Sequence, residues 1–188
     1  RLQGLGSGGL GIFGYAGNIG QGQGLEKILP HAARLLKSKA RFRIFGDGGG
    51  KKLLCNAIRE MEIDNIEVLD PISRNDLLLE YKNADILFLH LNNFDAFKKV
   101  LPSKLFEYAA TCKPILAGVN GYARHFLKKN VKGAYIFDTC DYASLVKIFD
   151  TIKYDNFSKK REFFCKTYAR ESIMKKMSND IIETCNIE

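Results

Sequence analysis

Apolar positions along this chain follow two patterns in turn. Short, nearly continuous apolar runs occur at GIFGYA (11–16), RFRIFG (41–46), IEVLD (66–70), DILFLHL (85–91), KPILAGV (113–119) and GAYIFD (133–138). Their length and their content of β-branched and aromatic residues predict buried strands. Between them the spacing lengthens to three and four. Leu25, Ile28, Leu29, Ala32, Ala33 and Leu36 fall on one helical face, with Pro30 expected to bend that helix or mark its first turn. Further helices are predicted over 51–62, 76–84, 102–111, 121–130 and 141–152, with a turn at 71–76 and a polar loop from Asn92 to Leu101. The tail from Asn156 reads as one or two helices, with Ser172 capping the break between them.

Strands that alternate with single helices predict an α/β domain, a Rossmann-like three-layer sandwich around a parallel sheet of about six strands. In such sheets ligands bind beyond the carboxyl ends of the strands. Four loops should meet there: Gly17–Gly24, Gly46–Gly50, Asp70–Arg74 and Asn92–Ser103. Five glycines fall between Gly14 and Gly24, where bare backbone could let N–H groups approach a phosphate at a helix start. The same density would also suit a tight turn with no ligand. GDGGGK (46–51) resembles a P-loop only superficially, because Lys52 stands where Ser or Thr is required. In LPSKLFEY (101–108), Pro102 and Ser103 open a helix and Glu107 lies one turn inside it. A carboxylate there can accept two hydrogen bonds from a vicinal diol, or simply complement the helix dipole.

Composition narrows the class. At 188 residues and 46% hydrophobic content the chain suits one globular domain, and no apolar run approaches the roughly 20 residues that cross a bilayer. No secretory leader is visible. A formal GxGxxG at Gly4–Gly9 follows no strand, so residues 1–11 read as a linker or tag remnant and 12–188 as the domain proper. Five scattered cysteines without a CxxC fit a reduced, cytoplasmic protein, and no metal is expected. Net charge of +8 suggests an anionic partner. The basic residues are scattered and no recognition motif appears, so no nucleic acid is expected.

Three segments, YAGNIGQGQGLE (15–26), GDGGGKKLL (46–54) and LPSKLFEYAATCKPILAG (101–118), resemble glycosyltransferase family four in order and spacing. They look like its C-terminal, nucleotide-sugar-binding half in bacterial enzymes that build surface polysaccharides. The resemblance implies one half of a GT-B fold, with the N-terminal acceptor domain absent and the last helix crossing back to it. It implies a retaining hexosyltransferase that needs no metal or cofactor, a nucleotide-sugar donor (a UDP-sugar first) and a glycan or lipid-linked acceptor. It also implies a place in the cytoplasm at the inner membrane face, with peripheral membrane association of the full-length enzyme. No catalytic residue is expected in this half. By position, Gly17, Asn18, Ile19 and Gly20 would face the diphosphate, with Gln23, Gly46 and Gly48 nearby. Pro71 and Ile72 would lie near the base. Pro102, Ser103, Lys104 and Leu105 would offer helix N–H groups, and Glu107 would hold the ribose.

Two departures stand out. Asn18 and Gln23 occupy positions where many members carry Arg and Lys, and Lys99 replaces the first Glu of the paired-Glu motif. A helix end supplies roughly half an elementary charge against about two on a diphosphate. The compensating cation is therefore expected at Lys104 first, then Lys99, Lys98 or Arg74, or from the absent N-terminal domain. Two other readings stay open: a hydrolysing nucleotide-sugar epimerase of the same fold, with His90 and His125 as its available histidines, and a non-catalytic nucleotide-binding module.

Overall fold

The computed structural model of the chain describes residues 10–153 and 155–185. Six parallel strands form one sheet: β1 (Gly11–Ala16), β2 (Ala40–Phe45), β3 (Ile66–Leu69), β4 (Ile86–His90), β5 (Ile115–Gly118) and β6 (Ala134–Phe137). Their order across the sheet is β3-β2-β1-β4-β5-β6. The helices are α1 (Leu29–Leu35), α2 (Lys51–Glu60), α3 (Arg74–Asn83), α4 (Lys104–Ala110), α5 (Gly121–Asn130), α6 (Tyr142–Phe149), α7 (Ser158–Tyr168) and α8 (Arg170–Cys185). One face of the sheet packs Phe13, Phe42, Ile44 and Phe88 against α1, α2 and α6. The other packs Leu87, Leu89, Ile115 and Ala117 against α3, α4, α5 and α7. Central β4 is buried along its whole length, as a strand covered on both faces must be.

All six predicted strands and their parallel pairing are present. Pro30 sits in the first turn of α1, and a short 3-10 turn at Leu25–Lys27 precedes it, so the expected single helix from Leu25 is two pieces. Helix α3 starts at Arg74, because Ser73 Oγ accepts a hydrogen bond from the Asp76 N–H and caps it. The expected polar loop of Asn92–Leu101 contains a 3-10 turn, Asp95–Lys99. Ser172 lies inside α8 and caps nothing; the break falls at Ala169, whose extended backbone (φ −59°, ψ 139°) ends α7. Gly11 opens β1, whereas the glycine pattern at Gly4–Gly9 lies outside the described residues.

Helix α7 ties the tail to α4. Arg161 is completely buried, and its guanidinium donates to the carbonyls of Ala109 (3.2 Å) and Lys132 (2.7 Å). A cation there complements the C-terminal end of α4. Phe157 and Phe164 are buried, Phe164 in this domain's own core with the Tyr168 ring tilted against it at 4.7 Å, while Phe163 is exposed. Helix α8 is exposed throughout and carries an apolar stripe of Ile173, Met174, Met177, Ile181 and Ile182.

Candidate functional site

The strand order reverses between β1 and β4, which opens a crevice at their carboxyl ends. A cleft of about 540 Å³ lies there, toward the α3 and α4 side. Ala16, Gly17 and Asn18 line it from β1, Phe45, Gly46 and Asp47 from β2, and Pro71 and Ile72 from β3. Arg74, Leu77 and Tyr81 of α3 form one wall; Ser103, Lys104 and Glu107 form the other.

Gly17, Asn18, Gly46, Pro71, Ile72, Ser103, Lys104 and Glu107 thus meet in one cleft, at the strand ends where their loops were expected to converge. The remaining candidates do not line it. Ile19 and Leu105 are buried in the two cores, since neighbouring residues of a loop or helix point opposite ways. Gly20 and Gln23 bond to each other, Gly20 N–H to Gln23 Oε1 at 3.1 Å. Gly48 lies against Asn18 and Ile19, and Pro102 has no N–H to give.

The backbone donors are also committed elsewhere. Gly17 N–H donates to Phe45 O (2.8 Å) and Ile19 N–H to Asp47 O (2.8 Å). Leu105 N–H donates to Pro102 O at 3.1 Å. The expectation that Gly17, Ile19, Gly20 and Leu105 turn their N–H groups toward a diphosphate is therefore corrected. The loop's first duty is to stitch β1 to β2. Its glycines give clearance: a Cβ on Gly17 would stand 2.9 Å from Lys104 Cε, with the ammonium nearer still.

Lys104 is the cation of the cleft. Its ammonium rests 4.1 Å from the centroid of the buried Tyr15 ring. Among the described residues it has no carboxylate partner within 4.0 Å. Burial pulls its pKa down to about 8, with the charge of Glu107 working the other way. Of the other expected cations, Lys98 pairs with Asp95 at 2.6 Å, and neither Lys98 nor Lys99 lines the cleft. Arg74 does line it, but its Nη1 is bound to Glu107 Oε1 at 2.8 Å.

Three buried tyrosines support the cleft from beneath its lining, and of these Tyr81 also lines it. Tyr15 OH donates to Asn18 O at 2.5 Å, holding the first turn of the glycine loop. Tyr108 OH accepts from Ala16 N–H at 3.4 Å, and its ring meets Tyr81 edge-on at 5.4 Å. Tyr81 reaches Glu107 Oε2 at 3.4 Å. Burial raises the pKa of all three hydroxyls, so they stay neutral. Reading the sequence missed Tyr81, Asp47 and the tyrosine floor. Nothing local marks a tyrosine on α3 as a neighbour of a glutamate on α4.

The family of glycosyl transferases group 1 matches residues 5–171. The chain belongs to this family. It is 35% identical over 94 residues to WcaI of Escherichia coli K12, a protein named for glycosyl transfer in colanic acid biosynthesis. That match covers 50% of this chain and 23% of WcaI. Among solved structures, HepE of Anabaena in complex with UDP-glucose superposes with a TM-score of 0.76 at 14% identity, over 93% of this chain and 49% of HepE. The lipopolysaccharide outer core galactosyltransferase WaaB gives 0.73 at 16% identity, over 95% and 50%. The C-terminal domain of LpcC from Francisella tularensis gives 0.64 at 16% identity, over 86% of both chains. The fold is one Rossmann-like half of the GT-B architecture, and the chain spans half or less of WcaI, HepE and WaaB.

In this group 1 glycosyl transferase domain, two buried polar residues at the end of β4 set the shape of the glycine loop. Cys140 N–H donates to His90 Nε2 at 2.9 Å, so the ring proton sits on Nδ1 and donates to Gln23 O at 2.5 Å. Asn92 donates to Gln21 O at 2.8 Å. Both ring nitrogens of His90 are engaged, and His125 is exposed on α5, outside the cleft. No histidine lines the cleft among the described residues, although the carboxylates of Asp47 and Glu107 do.

Burial holds the His90 pKa down to about 4, below its usual 6.5. The unfolded chain therefore takes up a proton that the folded one refuses between those values. Stability from this group is complete above pH 6.5 and is lost as pH falls toward 4. Thermal melts across that window should show the loss, and His90→Gln should flatten it. An unchanged slope in the variant would assign the acid sensitivity to other groups.

Proposed function

We propose that this domain binds the nucleotide-sugar donor, a UDP-sugar, for a retaining hexosyl transfer to a glycan or lipid-linked acceptor. The observation that carries the reading is the Lys104 ammonium. It is half-sunk in the cleft with no carboxylate partner among the described residues, on the same helix as a glutamate that faces the cleft. An unpaired cation in such a place is costly unless an anion completes it. A diphosphate at Lys104 and a ribose diol at Glu107 would satisfy both groups at once. The domain's part in the chemistry is to orient the donor and to offset the charge that develops on the leaving diphosphate.

Acceptor activation belongs, in this reading, to an N-terminal half, and the exposed apolar stripe of α8 is a surface it would cover. The full-length enzyme would work on the cytoplasmic side of a membrane. This domain alone is expected to bind nucleotide weakly and to transfer nothing; turnover by it would refute that division of labour.

Calorimetric titration with UDP, GDP, ADP and their sugars tests the donor site. UDP compounds should bind, and Glu107→Ala should weaken them about tenfold, the loss of one charge-assisted contact pair. If none binds, the donor reading fails. If Glu107→Ala binds as well as the wild type, the non-catalytic nucleotide module is favoured instead.

A further inference from the structure

Glu107 does not stand free in the cleft. Arg74 Nη1 donates to its Oε1 at 2.8 Å, and Tyr81 OH reaches its Oε2 at 3.4 Å, near the long limit of a hydrogen bond. Each carboxylate oxygen thus has one protein partner. An ionised carboxylate offers about four acceptor positions, so about one remains on each oxygen. One open position on each oxygen of a single carboxylate is what two O–H groups on adjacent carbons require.

We propose that Tyr81 and Arg74 are positioning residues that fix the plane of the Glu107 carboxylate, so that it reads a ribose diol and rejects a 2′-deoxyribose. This rests on the donor-site reading above. The two partners hold the carboxylate in different ways. Arg74 is mostly exposed, and an ion pair in that setting contributes little energy by itself. It does hold one of the two carboxylate oxygens, Oε1, at 2.8 Å. Tyr81 is 4% exposed, at the carboxyl-terminal part of α3, and its ring is held edge-on against buried Tyr108. That ring cannot swing away without opening the core, so its hydroxyl is a fixed reference point for Oε2.

The geometry also ties diol reading to the rest of the cleft. Tyr108, which holds the Tyr81 ring, accepts the Ala16 N–H at the end of β1, one residue before the loop that faces Lys104. The carboxylate is therefore positioned against the same strand end as the cation. A diol and a diphosphate on one ligand meet both groups in a fixed relation. When one diol hydroxyl is missing, one acceptor position of a half-buried carboxylate is left unmet, and binding sites built to hydrogen-bond a hydroxyl discriminate strongly against its absence.

The test compares UDP with 2′-deoxy-UDP by titration calorimetry, in the wild type, Tyr81→Phe and Arg74→Gln. The wild type should prefer UDP about tenfold, one hydrogen bond to a charged group. Tyr81→Phe, which removes only the hydroxyl, should cut that ratio to about threefold or less while 2′-deoxy-UDP affinity moves less than about twofold. Arg74→Gln, an exposed site that does not threaten folding, should lower the ratio in the same direction. A merely structural role for Tyr81 would weaken both ligands equally and leave the ratio intact. That result, or unchanged ratios in both variants, overturns the proposal. A wild type that binds UDP without preference overturns it alone, whereas a wild type that binds neither compound defeats the donor-site reading beneath it.

Discussion

Lys104→Met abolishes most of the affinity for a nucleoside diphosphate, about 100-fold, and leaves binding of the uncharged nucleoside nearly unchanged. The size follows from the scarcity of other positive groups. The glycine-loop N–H groups of Gly17 and Ile19 are bonded to the carbonyls of Phe45 and Asp47, and Arg74 is bound to Glu107. One charge-assisted contact to a partly buried ammonium is worth up to about 3 kcal/mol, or about two decades of affinity. Methionine keeps the aliphatic stem over Tyr15, so lost packing does not confuse the result. The same lysine sets a pH profile. Its pKa of about 8 keeps it charged at neutrality. Wild-type affinity for a UDP-sugar, whose diphosphate has no proton that titrates near neutrality, should be flat below pH 7 and fall by up to about tenfold per unit above the pKa, as the ammonium is lost. The variant should show no such fall. Thermal stability at pH 7 should hold or rise, because the folded state no longer carries a cation that burial disfavours. Wild-type affinity in Lys104→Met would place the diphosphate somewhere else.

Gly46→Ala has the largest expected effect on the fold. A Cβ at Gly46 would overlap the Gly17 carbonyl oxygen and lie 3.0 Å from its carbon. The obstacle is backbone on both sides, in two loops already joined by the bond from Gly17 N–H to Phe45 O. Neither can retreat without breaking the parallel register of β1 and β2 at Ala16 and Phe45. A loss of about 4 kcal/mol is expected, which lowers the melting temperature by about 10 °C or more in a domain of this size. Gly49→Ala is the control, since nothing lies within 4 Å of a Cβ there. Scanning calorimetry of the pair is decisive: equal melting temperatures would show that the two loops give way easily.

Much of the site was visible along the chain because its signals are local. Strand ends announce themselves by glycine and proline, and in an open parallel sheet those ends converge whatever the details. Gly17, Gly46, Pro71 and Ser103 could therefore be placed at one crevice before any coordinates. Lys104 was singled out among the lysines by its place at a helix start, and it is the one on the tyrosine floor. The errors share a cause. Ile19 and Leu105 sit between cleft-side neighbours, and which way each side chain turns depends on the core that receives it. His90 had no assigned role along the chain beyond being an available histidine, and it is a clamp whose two partners, Gln23 and Cys140, come from loops far away in the chain.

The glycine-rich stretch shows most clearly where the two kinds of information divide. Periodicity along the chain settled the alternation of strands and helices, the parallel sheet and the end of it where a ligand belongs. Those follow from patterns repeated every two to four residues, which are local by nature. What the glycines are for was decided by residues that folding brings to them. Gly17 makes room for Lys104, Gly24 for Asn92 and Gly46 for the Gly17 carbonyl, while the N–H groups of Gly17 and Ile19 turn to Phe45 and Asp47. The same holds for Glu107, whose two oxygens are set by Arg74 and Tyr81 from a different helix. A backbone donor has one hydrogen to give and a carboxylate a few places to accept. Which partner takes them is a matter of distance in space, and no spacing along the chain encodes it.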